Sequence, residues 1–352
     1  MGHKILILGG DGYIGWPLSL RLASLGNDVR IVDDLSRRTF DSKHGFKSNI
    51  AHSWQRESVS GIKYHNVNLI HSNIGDILKR YKPDIVIHAA GQRSAPVSHT
   101  SRYKQTTFLN NIIMLNALES IKEVNRDIRL IHFGSMGVYN SYSESVGHDT
   151  IGNLLPMAPK SLYHLTKCHD LLTLEFYSRT YGLDITEIHS GTAWGSQTAE
   201  TSSHPFLRNR LDYDYYYGTF INRFMCQAAI GEPITVYGDG VSEKSIIHIE
   251  DSIINLVEII NKKHNTQTIK IRNHYTELIT PMIAADRVNS VYGLGINSVF
   301  DNRLEATTQY NPVSSHSIIQ SKTIYDDLIA EFDNIDAANI SKKQMKIQNH
   351  KW

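Results

Sequence analysis

The sequence predicts an α/β fold in which a doubly wound parallel sheet is followed by a smaller C-terminal lobe. Short apolar runs alternate with segments of helical periodicity through the first half of the chain, a pattern that is typical of strand–helix–strand units. A glycine-rich turn directly follows the first apolar run. Strands that are buried on both faces pair in parallel, because the helices between them cover both sides of the sheet.

Six apolar runs are predicted to be strands, and three long segments between them are predicted to be helices. The strands are KILIL at 4–8, VRIVD at 29–33, IKYHNV at 62–67, DIVIHAA at 84–90, IRLIHF at 128–133 and DITEIHS at 184–190. The helices are predicted at 14–25, 102–123 and 161–181. After residue 190 the pattern changes to a loop rich in Tyr, Arg and Asp, a helix near 218–231 and shorter elements.

The composition argues against several classes of function. The 352 residues have a formal net charge of +1, which provides no broad field to attract nucleic acid or an anionic membrane. No run reaches the roughly 18 apolar residues of a bilayer span, and the opening MGHKILILGG predicts neither a targeting segment nor myristoylation. Cys168 and Cys226 are the only cysteines, which predicts a reducing compartment, the cytoplasm. We expect no metal site among the 18 histidines.

The turn GGDGYIG places Gly9, Gly12 and Gly15 between the first strand and the first helix. Glycines there permit a tight turn, let the backbone approach a pyrophosphate and direct the helix N-terminus at its charge. Asp33 ends the second strand, where a carboxylate accepts hydrogen bonds from an adenosine ribose. We therefore predict a Rossmann-type NAD-binding domain over 1–190. Residues 191–352 are predicted to be mainly a substrate-binding lobe, with some strands returning to the main sheet.

The choice between NAD and NADP depends on the charges near that ribose. Asp33 would repel the extra phosphate of NADP, whereas Arg37 and Arg38 in the following loop would attract it. A carboxylate beside the 2′ position favours NAD, so we predict NAD as the cofactor.

A second candidate site combines Ser135 with Tyr163 and Lys167. Ser135 follows the strand at 128–133, at the edge where open α/β sheets bind ligands, and the tyrosine and lysine lie one turn apart on a predicted helix. A free tyrosine titrates at about pH 10, so it acts as a base at neutral pH only beside a cation, which Lys167 supplies. Tyr-x-x-x-Lys is short enough to arise by chance, so its meaning depends on the glycine turn.

Several longer motifs resemble the extended short-chain dehydrogenase/reductase family, whose NAD-dependent epimerases and dehydratases act on nucleotide sugars. The motifs are GGDGYIGW, VDDLSRRTFD, GQRSAPVS, SMGVY, YHLTKCHD, LRNRLDYDYYYGTFINRF and PITVYGDG. Within that family they are most similar to the branch that adds sulfite to a UDP-linked sugar. The resemblance implies bound NAD, a nucleotide-sugar substrate, sulfite as a possible second substrate, and a homodimer formed through the helices at 102–123 and 161–181.

The resemblance also assigns roles to residues that match the family motifs. It implies a catalytic group formed by Ser135, Tyr163, Lys167 and His164. It implies a cofactor site formed by Gly9, Gly12, Tyr13, Ile14, Gly15, Asp33, Arg37, Ala89, Ala90, Gly91, Asn110 and Lys167. The implied nucleotide-sugar site, where arginines suit a pyrophosphate, consists of Gln92, Arg93, Ser94, Arg208, Arg210, Asp212, Asn222, Arg223, Lys244 and Arg303.

The chain departs from the sulfite-adding branch at six positions, one of which is Ser135, where that branch has threonine. Val138 in SMGVY replaces a carboxylate that elimination chemistry would use to move a proton. The other departures are Asn68 for an aspartate, His189 for an asparagine, Lys244 for an arginine and His248 for an aspartate. The reaction of this chain can therefore differ from that of the branch it resembles.

His164 is the nearest substitute acid by sequence, with a pKa expected to suit neutral pH. Consecutive helical residues point about 100° apart, which argues against His164 and Tyr163 facing the same sugar. We expect sulfonation, if this chain performs it, to be slow and to improve in Val138→Glu.

The predicted reaction begins with oxidation of a sugar hydroxyl at C4, with Tyr163 taking the proton and NAD⁺ the hydride. In the sulfite-adding branch, water then leaves across C5 and C6, sulfite adds at C6 and the hydride returns to C4. A first alternative is a nucleotide-sugar 4-epimerase or dehydratase without sulfonation. A second is a catalytically inactive NAD-binding sensor, which would have no need of a tyrosine base.

Overall fold

The computed structural model has strands and helices that alternate along the chain. It describes residues 2–46, 50–72, 74–99, 104–139, 146–147, 157, 159, 161–262, 269–299, 312–313, 340–341 and 345. The strands are β1 (Lys4–Leu8), β2 (Asp28–Asp33), β3 (Lys63–Asn66), β4 (Ile85–His88), β5 (Arg129–Ser135), β6 (Val146–Gly147), β7 (Ile185–Ser190), β8 (Thr192–Trp194), β9 (Ile234–Tyr237), β10 (Lys244–His248), β11 (Lys270–His274), β12 (Glu277–Ile279), β13 (Ile296–Val299) and β14 (Pro312–Val313).

Seven of these strands form one sheet in the order β11-β7-β5-β4-β1-β2-β3. Every pairing within that sheet is parallel, so the predicted fold class is confirmed. All six predicted strands are present, and none of their ends differs from the prediction by more than two residues. Smaller sheets pair β12-β10-β8, β13-β9 and β14-β6.

Eleven helices are found in the described part of the chain. They are α1 (Gly15–Ser24), α2 (Ser36–His44), α3 (Ser53–Ser60), α4 (Gly75–Tyr81), α5 (Ala95–Ser98), α6 (Lys104–Val124), α7 (Leu162–Tyr181), α8 (Ala199–Ser202), α9 (Phe220–Ala229), α10 (Ile249–Asn261) and α11 (Pro281–Tyr292). Two 3₁₀ turns cover Met136–Tyr139 and Pro205–Leu207. The four helices predicted from periodicity correspond to α1, α6, α7 and α9. None of the helices in the described ranges is both long and apolar enough to cross a bilayer.

Helices cover both faces of the main sheet, and each face has its own hydrophobic cluster. Alternate residues along β5 serve the two faces, since side chains point to opposite sides of a strand in turn. Leu130 packs on the face that is covered by α4, α6 and α7. Ile131 packs on the face that is covered by α1 and α10. A third cluster, which includes Phe224 and Ala284, joins α9, α11 and β9 after residue 190.

One strand from the second half of the chain belongs to the main sheet. β11 pairs in parallel with β7, with Asn273 opposite His189. The edge of the large sheet is thus completed by residues that follow the lobe segments β8, β9 and β10 in sequence. The division of function at residue 190 stays a prediction.

Candidate active site

A large cavity opens at the carboxyl ends of the central strands. Its volume is about 1330 Å³, more than a typical small-ligand pocket of about 300–1,000 Å³. The lining includes Gly9 after β1, Ala89 after β4 and Ser135 at the end of β5. It also includes residues of the segment 210–219 and of the β9–β10 region. Because open α/β sheets bind ligands at this edge, the cavity is the candidate active site.

The glycine turn forms the floor of the cavity at the end of β1. Gly9 has a φ of +78°, and a Cβ there would lie 2.6 Å from the backbone of Ala90. A Cβ on Gly15 would lie 2.4 Å from the carbonyl oxygen of Gly9. Gly12 lines the cavity, and a Cβ on it would meet only the Gly9 oxygen, at 3.2 Å. Larger residues would therefore open the turn or intrude into the space in front of α1.

Asp33 lies beside this turn at the end of β2. Its carboxylate accepts hydrogen bonds from the backbone N–H of Asp11, at 3.0 Å, and of Leu35, at 2.8 Å. Burial raises the pKa of Asp33 to about 6, and the neighbouring charge of Asp11 adds to the shift. At neutral pH the group is an anion that lines the cavity, as its predicted role at a ribose requires.

The two arginines that complicated the choice of cofactor are held by carboxylates. Arg38 donates to both oxygens of Asp11, at 2.6 and 2.8 Å. Arg37 donates to Asp212 at 2.9 Å and to Asp214 at 2.8 Å. A 2′-phosphate would have to displace one of these ion pairs. The geometry thus supports NAD, because Asp33 is close to the turn and neither cation is available.

Asp11 is a residue that the sequence reasoning missed. It occupies a variable position of the glycine motif, yet it pairs with Arg38 and, at 2.8 Å, with the fully buried Arg56. Burial opposes ionisation of Asp11, but hydrogen bonding to Arg38 and the charge of Arg56 lower its pKa below the usual value. The guanidinium of Arg56 lies 4.3 Å from the centre of the Trp16 ring. This cluster fixes the glycine turn against α3.

Other predicted cofactor residues also line the cavity, and two of them have structural contacts. The lining includes Tyr13, Ile14, Ala89, Ala90, Gly91 and Asn110. The hydroxyl of Tyr13 donates to the carbonyl oxygen of Gly195 at 2.5 Å. Asn110 accepts from the N–H of Gln92 at 2.8 Å and donates to its carbonyl oxygen at 2.9 Å. Asn110 therefore holds the loop that follows β4.

Ser135, Tyr163, His164 and Lys167 all face the same cavity. Ser135 ends β5, and the other three come from the first turns of α7. That helix begins where Ser161 caps it: the Ser161 hydroxyl oxygen accepts from the N–H of His164 at 3.1 Å. The sequence predicted this convergence, because a strand end and a returning helix meet at one sheet edge.

Lys167 is buried and charged. Its Nζ lies 3.2 Å from His132 Nε2 and 3.4 Å from Asp170 Oδ2. Burial alone would lower the pKa of Lys167, but Asp170 and Tyr163 raise it above the usual value. The ammonium form of Lys167 is thus retained, and its charge interacts with Tyr163.

The pKa of His164 is not the near-neutral value that we expected. Burial, together with the charges of Lys244 and His99, lowers the pKa of His164 to about 4, so the ring is neutral near pH 7. Its Nδ1 lies 3.0 Å from the Ser161 hydroxyl, and its ring packs over Gly137, where a Cβ would lie 2.1 Å from Nε2. The expectation of an acid suited to neutral pH was wrong, although His164 does line the cavity with Tyr163.

Val138 does not face the cavity. It lies in the 3₁₀ turn after β5, is 1% exposed and packs in the cluster under α6 and α7. Its neighbours Met136 and Gly137 contribute to the cavity lining, and Val138 does not. Val138→Glu in this conformation would place a carboxylate among apolar side chains, so the expected gain in sulfonation is not supported by the structure.

The predicted nucleotide-sugar residues divide into three groups. Those that line the cavity are Gln92, Arg93, Ser94, Arg210, Asp212, Arg223 and Lys244. Arg208 is exposed and Asn222 is buried behind the lining, where it accepts from the N–H of Gly195 at 2.9 Å. Arg303 lies outside the described residues.

Asp212 acts in this structure as a counter-ion for arginines. It pairs with Arg37 of α2 and with Arg93 of the loop after β4. Burial opposes ionisation of Asp212, but Arg37 and Arg93 lower its pKa. Asp41 similarly pairs with both Arg37 and Arg210. These pairs connect the nucleotide-binding half to the segment at 208–217, which a sequence pattern alone could not reveal.

Comparison with known proteins gives the family to which this site belongs. Residues 5–273 match the NAD dependent epimerase/dehydratase family, and the chain belongs to that family, as its motifs predicted. It is 34% identical to UDP-sulfoquinovose synthase of Sulfolobus acidocaldarius, over 88% of this chain and 85% of that protein. It is 33% identical to the chloroplastic UDP-sulfoquinovose synthase of Spinacia oleracea, over 87% of this chain and 69% of that protein. Both relatives are UDP-sulfoquinovose synthases, the branch that the motifs were predicted to resemble.

A solved structure shows the same fold at much lower identity. The UDP-glucuronic acid 4-epimerase from Bacillus cereus, crystallised with UDP-glucuronic acid and NAD, has a TM-score of 0.70 and 18% identity. The alignment covers 94% of this chain and 98% of that one. The likeness confirms the Rossmann-type architecture, and NAD is the cofactor of the family.

We expect this protein to bind NAD at least about tenfold more tightly than NADP, a difference of about 1.4 kcal/mol. The reason is that NADP would bring a phosphate to Asp33 while Arg38 is held by Asp11. Asp33→Asn should lower the ratio of the NADP dissociation constant to the NAD dissociation constant, both measured by calorimetric titration. Asp28→Asn, at the far end of the same strand, is the matched control. Tighter binding of NADP by the unaltered protein would contradict this account.

Proposed function

We propose that the chain oxidises the C4 hydroxyl of a UDP-linked hexose and processes the resulting 4-keto sugar. The main observation in support is that Ser135, Tyr163 and Lys167 line the same cavity as the glycine turn. Oxidation of a secondary alcohol requires a base that removes the hydroxyl proton, and a tyrosine with a buried lysine beside it can act as that base. An NAD-binding sensor without turnover would not need that pair.

The residues at the turn suit the dinucleotide. Gly12 leaves open the space in which a side chain would stand, and Asp33 presents an anion at the end of β2. The glycine turn would hold the pyrophosphate, Asp33 the adenosine ribose and Lys167 the second ribose. When bound, NAD supplies the acceptor for the hydride that leaves C4.

The protein side chains would handle the proton. Tyr163, as phenolate, accepts the proton of the C4 hydroxyl, and Ser135 holds that hydroxyl in line through a hydrogen bond. The ammonium of Lys167 stabilises the phenolate throughout. Reduction at C4 later reverses the proton transfer, so Tyr163 returns to its starting state after each turnover.

We propose sulfonation as the outcome of the cycle, because the 34%-identical relative is a UDP-sulfoquinovose synthase. A 4-keto sugar has an acidic C5 proton, so water can leave across C5 and C6 and sulfite can add to C6. The elimination needs a group that exchanges protons. We propose Glu243 for this role, because it lines the cavity next to Lys244. The charge of Lys244 acts on His164, which lines the same cavity.

The alternative outcome is inversion at C4. It is favoured by the position of Val138, which is in the hydrophobic cluster and gives the turn after β5 no carboxylate. In that case the 4-keto sugar would turn over in the cavity and be reduced on its opposite face, without loss of water.

Tyr163→Phe should lower turnover by about two to four orders of magnitude, the range for loss of a general base, while NAD still binds. Tyr181→Phe makes the same change about five turns further along α7, at the end of the helix, and serves as the control. Turnover of UDP-glucose is followed by mass spectrometry. Full activity in Tyr163→Phe would rule out the proposed base.

The product distinguishes the two outcomes of the cycle. With UDP-glucose, sulfite and NAD, we expect a UDP-sugar sulfonated at C6, and we expect Glu243→Gln to lower its yield while C4 is still oxidised. Mass spectrometry identifies the sulfonate, and NMR of the recovered sugar reports the configuration at C4. Inversion at C4 with no sulfonate in either protein would establish the epimerase alternative.

We also propose that the protein is a homodimer. Five apolar side chains, Phe108, Ile112 and Leu115 of α6 with Leu172 and Phe176 of α7, are between 39% and 45% exposed. The two helices pack side by side, and the spacing of these residues places them on one face of each helix. A continuous apolar surface of this kind is typical of a protein–protein interface.

Ile112→Lys should therefore shift the protein from dimer to monomer, because it would bury a charge in the apolar contact. Light scattering after gel filtration measures the molar mass. Ile283→Lys on α11 is the matched control, since Ile283 is also about half exposed, at 46%. A monomeric unaltered protein, or an unchanged dimer in Ile112→Lys, would contradict the proposed interface.

A further inference from the structure

A row of polar side chains is buried in the main sheet next to Lys167. His88 of β4, His132 of β5 and Glu187 of β7 lie opposite one another in the parallel register, so they share one face of the sheet. Each is at most 2% exposed. Apolar residues occupy the flanking positions, Leu8 and Ile271. Polar groups buried in such a row cost folding free energy unless they are paired.

His132 connects Glu187 to Lys167. Its Nδ1 lies 2.5 Å from Glu187 Oε2, and its Nε2 lies 3.2 Å from Lys167 Nζ. Asp170 is the second contact of the lysine, at 3.4 Å, and it accepts a hydrogen bond from Asn111 at 2.7 Å. The ammonium group is thus held by side chains from the sheet and from its own helix.

Gly134 provides the space for the glutamate. A Cβ at that position would lie 2.0 Å from Glu187 Oε1 and 2.9 Å from His189 Cδ2. The glycine precedes Ser135 in β5, so the strand that presents Ser135 to the cavity also admits a buried carboxylate one residue earlier. Glycine at position 134 therefore allows β5 to present Ser135 to the cavity and to leave room for the carboxylate of Glu187.

The charges of this cluster determine which nitrogen of His132 carries the proton. Burial opposes ionisation of Glu187, but His132 and His189 lower its pKa to about 2, so it is an anion that can only accept. His132 therefore donates from Nδ1. Its Nε2 faces the ammonium of Lys167 at 3.2 Å and Asp170 Oδ2 at 3.6 Å, and because an ammonium can only donate, the geometry assigns the lone pair to Nε2. That lone pair accepts a hydrogen bond from the Lys167 ammonium, as a carboxylate fixes the tautomer of a functional histidine in other sites.

We propose that His132 and Glu187 are positioning residues for the reaction: His132 orients the ammonium of Lys167 toward Tyr163, and Glu187 fixes the tautomer of His132. This inference rests on the proposed roles of Tyr163 and Lys167. The titratable groups that face the His132 ring are His88 on β4, Lys167 and Asp170 on α7, and Glu187 on β7. His88 lies 5.3 Å from it between ring centres.

Two substitutions of His132 separate positioning from a structural role. His132→Gln keeps a polar atom at the ε position, where it can accept from Lys167, but it loses the δ donor to Glu187. His132→Asn keeps a polar atom at the δ position but has no acceptor for Lys167. A positioning role predicts that Asn harms catalysis more than Gln. A merely structural role predicts that Gln harms stability and activity more, because the buried Glu187 loses its donor.

In the full-length protein with NAD, we expect His132→Asn to lower kcat by about ten- to a hundredfold, the range for loss of an orienting outer-shell partner. We also expect the acidic limb of the kcat profile to move to higher pH, because a displaced ammonium favours the phenolate less. His132→Gln should retain more activity and keep the limb close to its original position. Thermal unfolding of each variant shows how much of any loss reflects stability.

His88→Gln is the matched control, since it replaces a buried histidine in the same row that makes no hydrogen bond through its ring nitrogens in the described structure. Its pH profile should not move. The inference would be overturned if His132→Asn kept the original kcat and pH profile. The inference would also be overturned if the loss of activity in both His132 variants matched their loss of folded protein.

A measurement without sugar turnover keeps this inference separate from the proposed function. The tyrosinate ultraviolet spectrum of the NAD-bound protein, minus that of Tyr163→Phe, reports ionisation of Tyr163 as pH rises. We expect this signal to appear at higher pH in His132→Asn than in the unaltered protein. If no UDP-sugar turns over, the proposed function fails while a displaced signal still supports the inference. An undisplaced signal in His132→Asn would contradict it.

Discussion

The parallel register of the central strands is the constraint on which the site depends. Leu8, His88, His132 and Glu187 are aligned across β1, β4, β5 and β7. Because these strands run in the same direction, the residues just beyond that row reach one edge together, and they include Gly9, Ala89 and Ser135. A shift of one residue in β5 would turn His132 to the other face of the sheet. The same shift would remove both the Lys167 contact and the presentation of Ser135.

That register also explains why a group of charges is tolerated inside the sheet. Removing one partner of a buried ion pair typically costs about 3–5 kcal/mol, whereas an apolar replacement of the whole group is often neutral or stabilising. Stability alone therefore gives no reason to keep Glu187, His132, Lys167 and Asp170 in the hydrophobic cluster under α7. A requirement for a correctly placed ammonium at Tyr163 does give one. The cluster is more readily understood as support for catalysis than as support for the fold.

Much of the fold and part of the site could be predicted from the sequence, because both follow from local patterns. Apolar runs gave the strand positions, and the spacing of glycines in GGDGYIG located the turn after β1. The carboxyl ends of parallel strands meet at one edge of the sheet, and this rule predicted that Ser135, Tyr163 and Lys167 lie close together. The contacts of Arg37 could not be found in this way, since its partners Asp212 and Asp214 are far along the chain. Side-chain direction was equally hidden: Val138 follows Ser135 closely but faces the core.

The burial of Val138 changes how the reaction of this chain is to be understood. A carboxylate lost at one position matters for elimination only if some other group exchanges protons at the same edge of the cavity. Because the pKa of His164 is about 4, little of its ring is protonated at neutral pH, and it is a poor general acid there. Glu243 also lines the cavity; it lies on the loop before β10 and is partly exposed. In the proposed reaction Tyr163 would act at C4, and Glu243 would exchange protons at C5 or C6. Under the proposed function, the β9–β10 loop would therefore decide the outcome of the cycle, while the sheet positions Ser135 for the oxidation step.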